Sequence, residues 1–72
     1  MFDYYENADT KVVVSPIGKS SWETSEGMAH FSKSGKTCYV FPDDTTMDVY
    51  RKKDKHWHCF GVKNQKWKIK II

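Results

Sequence analysis

Residues 66–71 alternate between lysine and apolar side chains more regularly than any other part of the chain. The segment reads KWKIKI, with three lysines at one set of positions and a tryptophan and two isoleucines at the other. Successive side chains of a strand point to opposite faces, so this period of two predicts a half-buried β-strand. Any fold for this chain must cover the apolar side of that strand and leave its lysines in water.

Turn signals divide the rest of the chain into further short extended segments. Ser34-Gly35 is typical of a hairpin, and residues 42–45 combine a proline with two aspartates. Pairing across Ser34-Gly35 sets Phe31 opposite Cys38, and an even connection at residues 42–45 sets Cys38 opposite Val49. We therefore predict a single all-β domain, residues 1–72, an antiparallel meander of five or six strands that can roll into a small barrel. The predicted strands are 11–15, 22–32, 36–41, 46–51, 56–62 and 66–71, with the first ending or becoming an edge at Pro16.

Residues 21–32 leave an alternative open. Ser20 and Glu23 have the spacing of a helix capping box, which would make the fold α+β with a helix packed on the sheet. Gly27 and several hydroxyl residues lower the helix propensity of the same segment. We expect a strand here. Phe2, Tyr4 and Tyr5 are expected to pack as an arm or as a first strand against the sheet, with an exposed aromatic arm that grips a partner as the alternative.

Pairing the C-terminal strands across short loops sorts their side chains into two faces. The loops are placed within residues 52–55, which sets Val49 opposite His58, and at residues 64–65, which sets Val62 opposite Trp67. One face then collects the apolar residues expected in the core: Met47, Val49, Phe60, Val62, Trp67, Ile69 and Ile71. The other face is expected to be wet and basic: Tyr50, Trp57, Cys59, Gly61, Lys68 and Lys70. Tyr39 and Phe41 join this second face, which is either a binding surface or a second small core.

The charge is unevenly distributed along the chain. Residues 1–50 hold four lysines against eight acids, a net charge of −4, whereas residues 51–72 hold eight basic residues against one acid, a net charge of +7. Cations interleaved with aromatic rings on a sheet are typical of single-strand nucleic-acid binding. We therefore expect an anionic macromolecular partner, with nucleic acid favoured, to bind Tyr50, Arg51, Lys52, Lys53, Trp57, Lys68 and Lys70.

Catalysis and metal binding are not expected. Seventy-two residues leave little room for a cleft with supporting residues, and the chain has no phosphate-binding glycine loop. The histidines and cysteines lack the spacings of zinc sites. Cys38 and Cys59 fall on opposite faces in the predicted register, so no disulfide, cofactor or metal is expected.

Location and an alternative function follow from the same features. No apolar run is long enough to span a membrane and residues 1–4 lack signal-peptide character, so we expect a cytoplasmic protein with no membrane contact. The small size and absence of catalytic motifs also suit a phage- or virus-type inhibitor or adaptor that binds a host protein. Aromatic rings and arginine are common at such interfaces.

Overall fold

Six antiparallel strands close into a small barrel in a computed structural model that describes residues 8–72. Each strand pairs with the next one along the chain, and the last pairs with the first. The all-β prediction is confirmed, and the helical alternative for residues 21–32 is wrong. The predicted N-terminal arm lies outside the described residues. The strands are β1 (Thr10–Ile17), β2 (Ser25–Phe31), β3 (Thr37–Asp43), β4 (Thr46–Lys53), β5 (His56–Cys59) and β6 (Lys66–Ile71).

Strand β1 closes the barrel because it pairs on both sides. Its β-branched run favours an extended backbone and buries Val12 and Val14. Pairing with β2 ends at Val14, whereas pairing with β6 continues through Pro16 to Ile17. Pro16 thus lies where β1 has no hydrogen-bonded neighbour on one side. Such a position tolerates a residue that has no N–H to donate.

Large side chains fill the interior of the barrel. The ring of Tyr50 meets that of Trp67 edge-on, with centroids 5.6 Å apart, and Phe31 meets Trp57 in the same way at 6.1 Å. Such rings each contribute a few kcal/mol of burial, at most about 3, to a domain with little other volume to bury. The core cluster consists of Val12, Val14, Ala29, Cys38, Val40, Tyr50, Trp57 and Trp67.

The β2–β3 hairpin has the predicted register. Phe31 lies opposite Cys38 and Ala29 opposite Val40, and the other two pairs follow the same register. Gly27, further along β2, is packed so closely that a Cβ there would lie 2.6 Å from the carbonyl oxygen of Phe41. A residue without a side chain is therefore required at this point of the sheet.

The β3–β4 register differs from the prediction by one residue. The sequence set Cys38 opposite Val49, and the structure sets it opposite Tyr50. The shift arises at an irregularity between Val40 and Asp43, a segment that contains a proline unable to donate to the ladder. One extra residue there exchanges the faces of the two strands relative to each other.

The β4–β5 hairpin keeps the predicted faces but shifts the register by two residues. Its turn is only two residues long, because Lys53 lies opposite His56. Asp54 and Lys55 have φ angles of 53° and 69°, as a type I′ turn requires. The even shift leaves Tyr50 on the same face as the residues of β5 that it was predicted to join.

The β5–β6 pairing is the largest departure from the prediction. The sequence paired Val62 with Trp67 across a two-residue loop, but β5 ends at Cys59 and Trp67 pairs with Trp57. The intervening residues 60–65 form an irregular connection in which Gly61 has a φ of 86°. Residues with positive φ interrupt an extended backbone, so the alternation does not carry across this loop.

This register turns β4 and β5 over relative to the prediction, whereas β6 keeps its predicted face. Tyr50, Trp57 and Cys59 belong to the core or pack against it instead of lying on the wet face, and Trp67, Ile69 and Val62 stay with the core as predicted. Phe60 and Ile71, also predicted to be in the core, are 74% and 61% exposed. Tyr39 lies on the outer side of β3, so the predicted aromatic patch is not one surface.

The two cysteines share the inner face, contrary to the parity expected from the sequence. Cys38 lies opposite Tyr50, and Tyr50 lies opposite Cys59. Both thiols are free. Since β4 separates them, their Cα atoms are about two strand spacings, roughly 10 Å, apart, beyond the reach of about 7 Å for a disulfide.

A candidate basic face and crevice

The outer side of β4, β5 and β6 carries a group of exposed cations. Tyr50, Trp57 and Trp67 point into the barrel, so their neighbours in these strands point outward. All the cations in this outward set are exposed to solvent. We call this surface the basic face, and it consists of Arg51, Lys53, Lys66, Lys68 and Lys70.

Carboxylates do not neutralise the basic face from within its own strands. Asp48 is the only acid in β4, β5 and β6, and it lies on the inner side opposite Val40. Asp48 is half-buried, and this burial raises the pKa of its carboxyl group. One further acid, Asp54, occupies the β4–β5 turn. The field at the surface of the three strands is therefore positive.

Two histidines lie between the cationic strands. In β5, His58 is opposite Arg51 and His56 is opposite Lys53. On the other side, His58 lines a shallow pocket together with Lys66. The Nε2 atom of His58 is buried and has no hydrogen-bond partner among the described residues. The histidines extend the cationic strands into one continuous polar surface.

A crevice opens in the barrel wall beside the β5–β6 seam. These strands pair at one position only, Trp57 opposite Trp67. Above and below this pair, no further paired residues join β5 to β6. The crevice has a volume of about 330 Å³ and no carboxylate in its lining. Four of its residues are apolar and four are lysine or histidine. They are Ile17, Trp57, Trp67 and Ile69, and Lys52, Lys55, His56 and Lys68.

Each of the two tryptophans of the crevice contacts one further side chain, Lys52 or Trp22. The Nζ atom of Lys52 lies 5.6 Å from the ring centre of Trp57, within the range of a cation–π interaction. Trp22, in the β1–β2 connection, meets Trp67 edge-on at 6.1 Å and is 53% exposed. The apolar part of the site therefore continues outward onto an exposed ring.

Five of the seven residues proposed from the sequence have exposed side chains, four of them in the basic face and Lys52 in the lining of the crevice. The five are Arg51, Lys52, Lys53, Lys68 and Lys70. Tyr50 and Trp57 are corrections, because they are only 5% and 8% exposed and belong to the core. Burial raises the pKa of the Tyr50 phenol well above its usual range. Neither ring is free to stack on a partner.

Sequence reasoning missed several residues of the site. Lys66 carries the same alternation signal as Lys68 and belongs beside it. His56 and Lys55 follow from the β4–β5 turn, once that turn is recognised as two residues long. Ile17 had no local signal, because β1 reaches the crevice only through closure of the barrel.

The cysteine and metal-ligand chemistry of the described residues is limited. Burial raises the pKa of the Cys38 thiol to about 12 and raises that of Cys59 as well. A raised pKa keeps a thiol protonated at neutral pH, whereas nucleophilic cysteines need a lowered one. Residues 8–72 contain no cluster of three or more histidine, cysteine or acidic side chains that could hold a metal ion.

Comparison of the chain with protein-family models, with curated proteins and with solved structures gives no match in any of the three. The part of the chain that the structure describes contains no helix with the length and apolarity needed to cross a membrane.

Proposed function

We propose that this chain is a non-enzymatic binding protein that holds an anionic macromolecule, with nucleic acid favoured, on the basic face. One observation carries the proposal. Five exposed cations lie on β4 and β6, on either side of β5, and the only carboxylate of these three strands, Asp48, is on the inner side. A phosphate backbone is the anion best suited to such an extended cationic surface, because its charges recur along its length.

The burial of Tyr50 and Trp57 changes how this surface would bind. Rings that are packed in the core do not stack on bases, so affinity has to come mainly from charge. Binding through charge releases counterions from the nucleic acid and weakens steeply as salt is added. With five phosphate contacts at most from the basic face, the slope of log affinity against log salt on duplex DNA is at most about −4.5.

A matched pair of double variants tests the proposal. Lys68→Gln with Lys70→Gln removes two cations from the basic face, and Lys19→Gln with Lys33→Gln removes two exposed cations from connecting segments. Exposed charge contacts are worth up to about 1 kcal/mol each, so the first variant should lose about fivefold to thirtyfold in affinity for oligonucleotides at ~50 mM salt. Its salt slope should fall by about 2.

The control variant has the same net charge, so it should keep most of the affinity and of the salt slope. Equal losses in the two variants would show that overall charge, rather than the basic face, attracts the nucleic acid. No binding of single-stranded or duplex oligonucleotides at ~50 mM salt, where screening is weak, would reject nucleic acid as the partner.

A second candidate function rests on exposed apolar side chains. Phe60 is 74% exposed and Trp22 is 53% exposed, and exposed rings are common anchors of protein interfaces. In this alternative the chain is a phage- or virus-type inhibitor or adaptor that binds a host protein. Phe60→Ala and Trp22→Ala would then abolish capture of the partner, with only a weak effect of salt on its dissociation. Both proposals assume a cytoplasmic location, which suits the free thiols.

A further inference from the structure

We infer that the crevice beside the Trp57–Trp67 pair takes one unpaired nucleotide of a single strand. This inference rests on the proposal that nucleic acid binds the basic face. The base would lie against the apolar half of the lining, and its phosphate would lie near the lysines. The protein would then prefer single strands to duplex, which the basic face alone does not require.

The composition of the lining matches the two parts of a nucleotide. Ile17 and Ile69 with the edges of the two tryptophans form an apolar wall, and a base is a flat group with large apolar faces. The other half of the lining supplies three lysines and a histidine, with no carboxylate to repel a phosphate. An inorganic anion alone would satisfy the lysines but would leave the apolar wall uncovered.

The size and place of the crevice favour a single nucleotide. Its volume of about 330 Å³ is at the lower end of pockets that hold small ligands, which span about 300–1,000 Å³. Lys68 belongs both to the crevice and to the basic face, so a strand lying on that face passes the opening. The cation of Lys52 is already held at the rim by the ring of Trp57.

A base in a duplex cannot use this site. Paired bases are stacked on each other and turned toward the helix axis, so entry into a concave pocket requires unstacking and unpairing at a cost of a few kcal/mol. The crevice is a recess in the barrel wall rather than a projecting element that could enter a groove. Bases of single strands are already free to turn out onto protein surfaces.

The first experiment compares affinities for single-stranded and duplex DNA at one salt concentration. The probes are oligodeoxythymidine of about 12 nucleotides and a duplex of about 12 base pairs, within the usual site sizes of small barrels. The unaltered protein should prefer the single strand by about fivefold or more, the effect of one base contact. Lys52→Gln with Lys55→Gln should reduce this preference to less than about twofold, whereas Lys19→Gln with Lys33→Gln should retain it.

A second measurement reports on the crevice directly. In a Trp22→Phe protein, Trp57 and Trp67 are the only remaining tryptophans of the three in the chain. Thymidine monophosphate should change their fluorescence with saturation, and inorganic phosphate at the same concentration should not. An equal response to both would show a simple anion site and overturn the inference.

The possible outcomes separate this inference from the proposed function. Equal affinity for single strands and duplex, with a steep salt dependence, would overturn the crevice as a nucleotide site and leave the basic face intact. Loss of single-strand preference in both double variants would also count against the crevice. No binding of any oligonucleotide would overturn both.

Discussion

The β2–β3 and β5–β6 connections both join neighbouring antiparallel strands, but they fix the pairing to very different degrees. The β2–β3 hairpin pairs four consecutive positions, from Phe31 opposite Cys38 onward. The β5–β6 connection leads to a single pair, Trp57 opposite Trp67. The first register was predicted from the sequence, and the second was not.

The difference lies in where each connection finds its hydrogen bonds. In the β2–β3 turn, the amide of Gly35 donates to the carbonyl of Ser32 at 2.9 Å, and the amide of Ser32 donates to the carbonyl of Thr37 at 2.9 Å. In the β5–β6 connection, the amide of Val62 donates to the carbonyl of Cys59 at 3.1 Å, and the side chain of Gln65 donates to the carbonyl of Ile17 at 3.1 Å as well as to its neighbour Lys66. The bonds of the β2–β3 turn join its two ends and set the register locally, whereas the β5–β6 loop is also tied to β1, far away in sequence.

The loosely paired seam is also where the candidate site lies. A continuous ladder between β5 and β6 would bring their neighbouring residues into contact and leave no crevice beside Trp67. The proposed nucleotide site therefore depends on the limited pairing of β5 with β6. The basic face needs only the alternation of the strands, whereas the crevice needs this particular register.

Removing the ring of Trp67 should have the largest effect on the seam. Trp67→Ala deletes half of the only β5–β6 pair and a ring that packs on Tyr50. We expect a loss of about 3–5 kcal/mol in the free energy of unfolding, from cavity formation. Such a loss is a large part of the total for a domain of this size, about 4–11 kcal/mol. Unfolding in urea, followed by circular dichroism, measures it.

Phe60→Ala is the matched control, because the predicted register placed this ring in the core together with Trp67. Phe60 is 74% exposed in the structure, so its truncation should change stability by no more than about 0.5 kcal/mol. Similar losses in the two variants would contradict the observed β5–β6 register.

Much of the fold followed from local signals in the sequence. The six strands, their order and the β2–β3 register all came from alternation and from turn residues such as Ser34-Gly35. The grouping of cations on β4–β6 also followed, because alternation in residues 66–71 and net charge are directly visible. These features need no knowledge of distant contacts.

The remaining errors arose where one residue changes the face of a strand. An irregularity between Val40 and Asp43 shifted β3 against β4, and the loop at residues 60–65 shifted β6 against β5. A shift by an odd number of residues exchanges inside for outside, and both of these shifts are odd, so Tyr50 and Trp57 moved from the expected binding surface into the core. The apolar residues of β6 suited either register, and closure of the barrel decides between them.

Two glycine substitutions, one in the β2–β3 hairpin and one in the β5–β6 connection, should have intermediate effects on stability. Gly27→Ala puts a Cβ 2.6 Å from the carbonyl oxygen of Phe41, a backbone atom that can move only with the sheet. We expect a loss of about 1–3 kcal/mol from this overpacking. Gly61→Ala meets no atom within 4 Å, but its φ of 86° should cost about 1–2 kcal/mol.

The two variants should also differ in where they loosen the structure. Native-state hydrogen exchange should show faster exchange across β2 and β3 for Gly27→Ala, and only near the β5–β6 connection for Gly61→Ala. The comparison fails if Gly61→Ala loosens the β2–β3 hairpin as much as Gly27→Ala does.

The smallest expected effect is a difference between the two connections in how often they open locally, and the rate of thiol labelling measures it in the unaltered protein. Cys38 lies in β3 with no exposed surface, and burial raises the pKa of its thiol to about 12. Cys59 ends β5, beside the irregular loop, and is half-buried with a raised pKa. At about pH 8 both thiols stay protonated in the closed state, so alkylation requires opening.

Opening of the β5–β6 seam should expose Cys59 but not Cys38. We expect this opening to cost at least about 1.4 kcal/mol less than global unfolding, so Cys59 should be labelled at least about tenfold faster than Cys38. Peptide mass spectrometry of the labelled protein, with both cysteines in place, gives each rate separately. Labelling of Cys38 should follow global unfolding. Folding raises the pKa of its thiol, so between pH 9 and pH 12 the unfolded thiol ionises while the folded one stays protonated. The free energy of unfolding should therefore fall by up to about 1.4 kcal/mol per pH unit in this range. Equal labelling rates at about pH 8 would mean that the two connections open together, and that the seam is not the weaker part of the barrel.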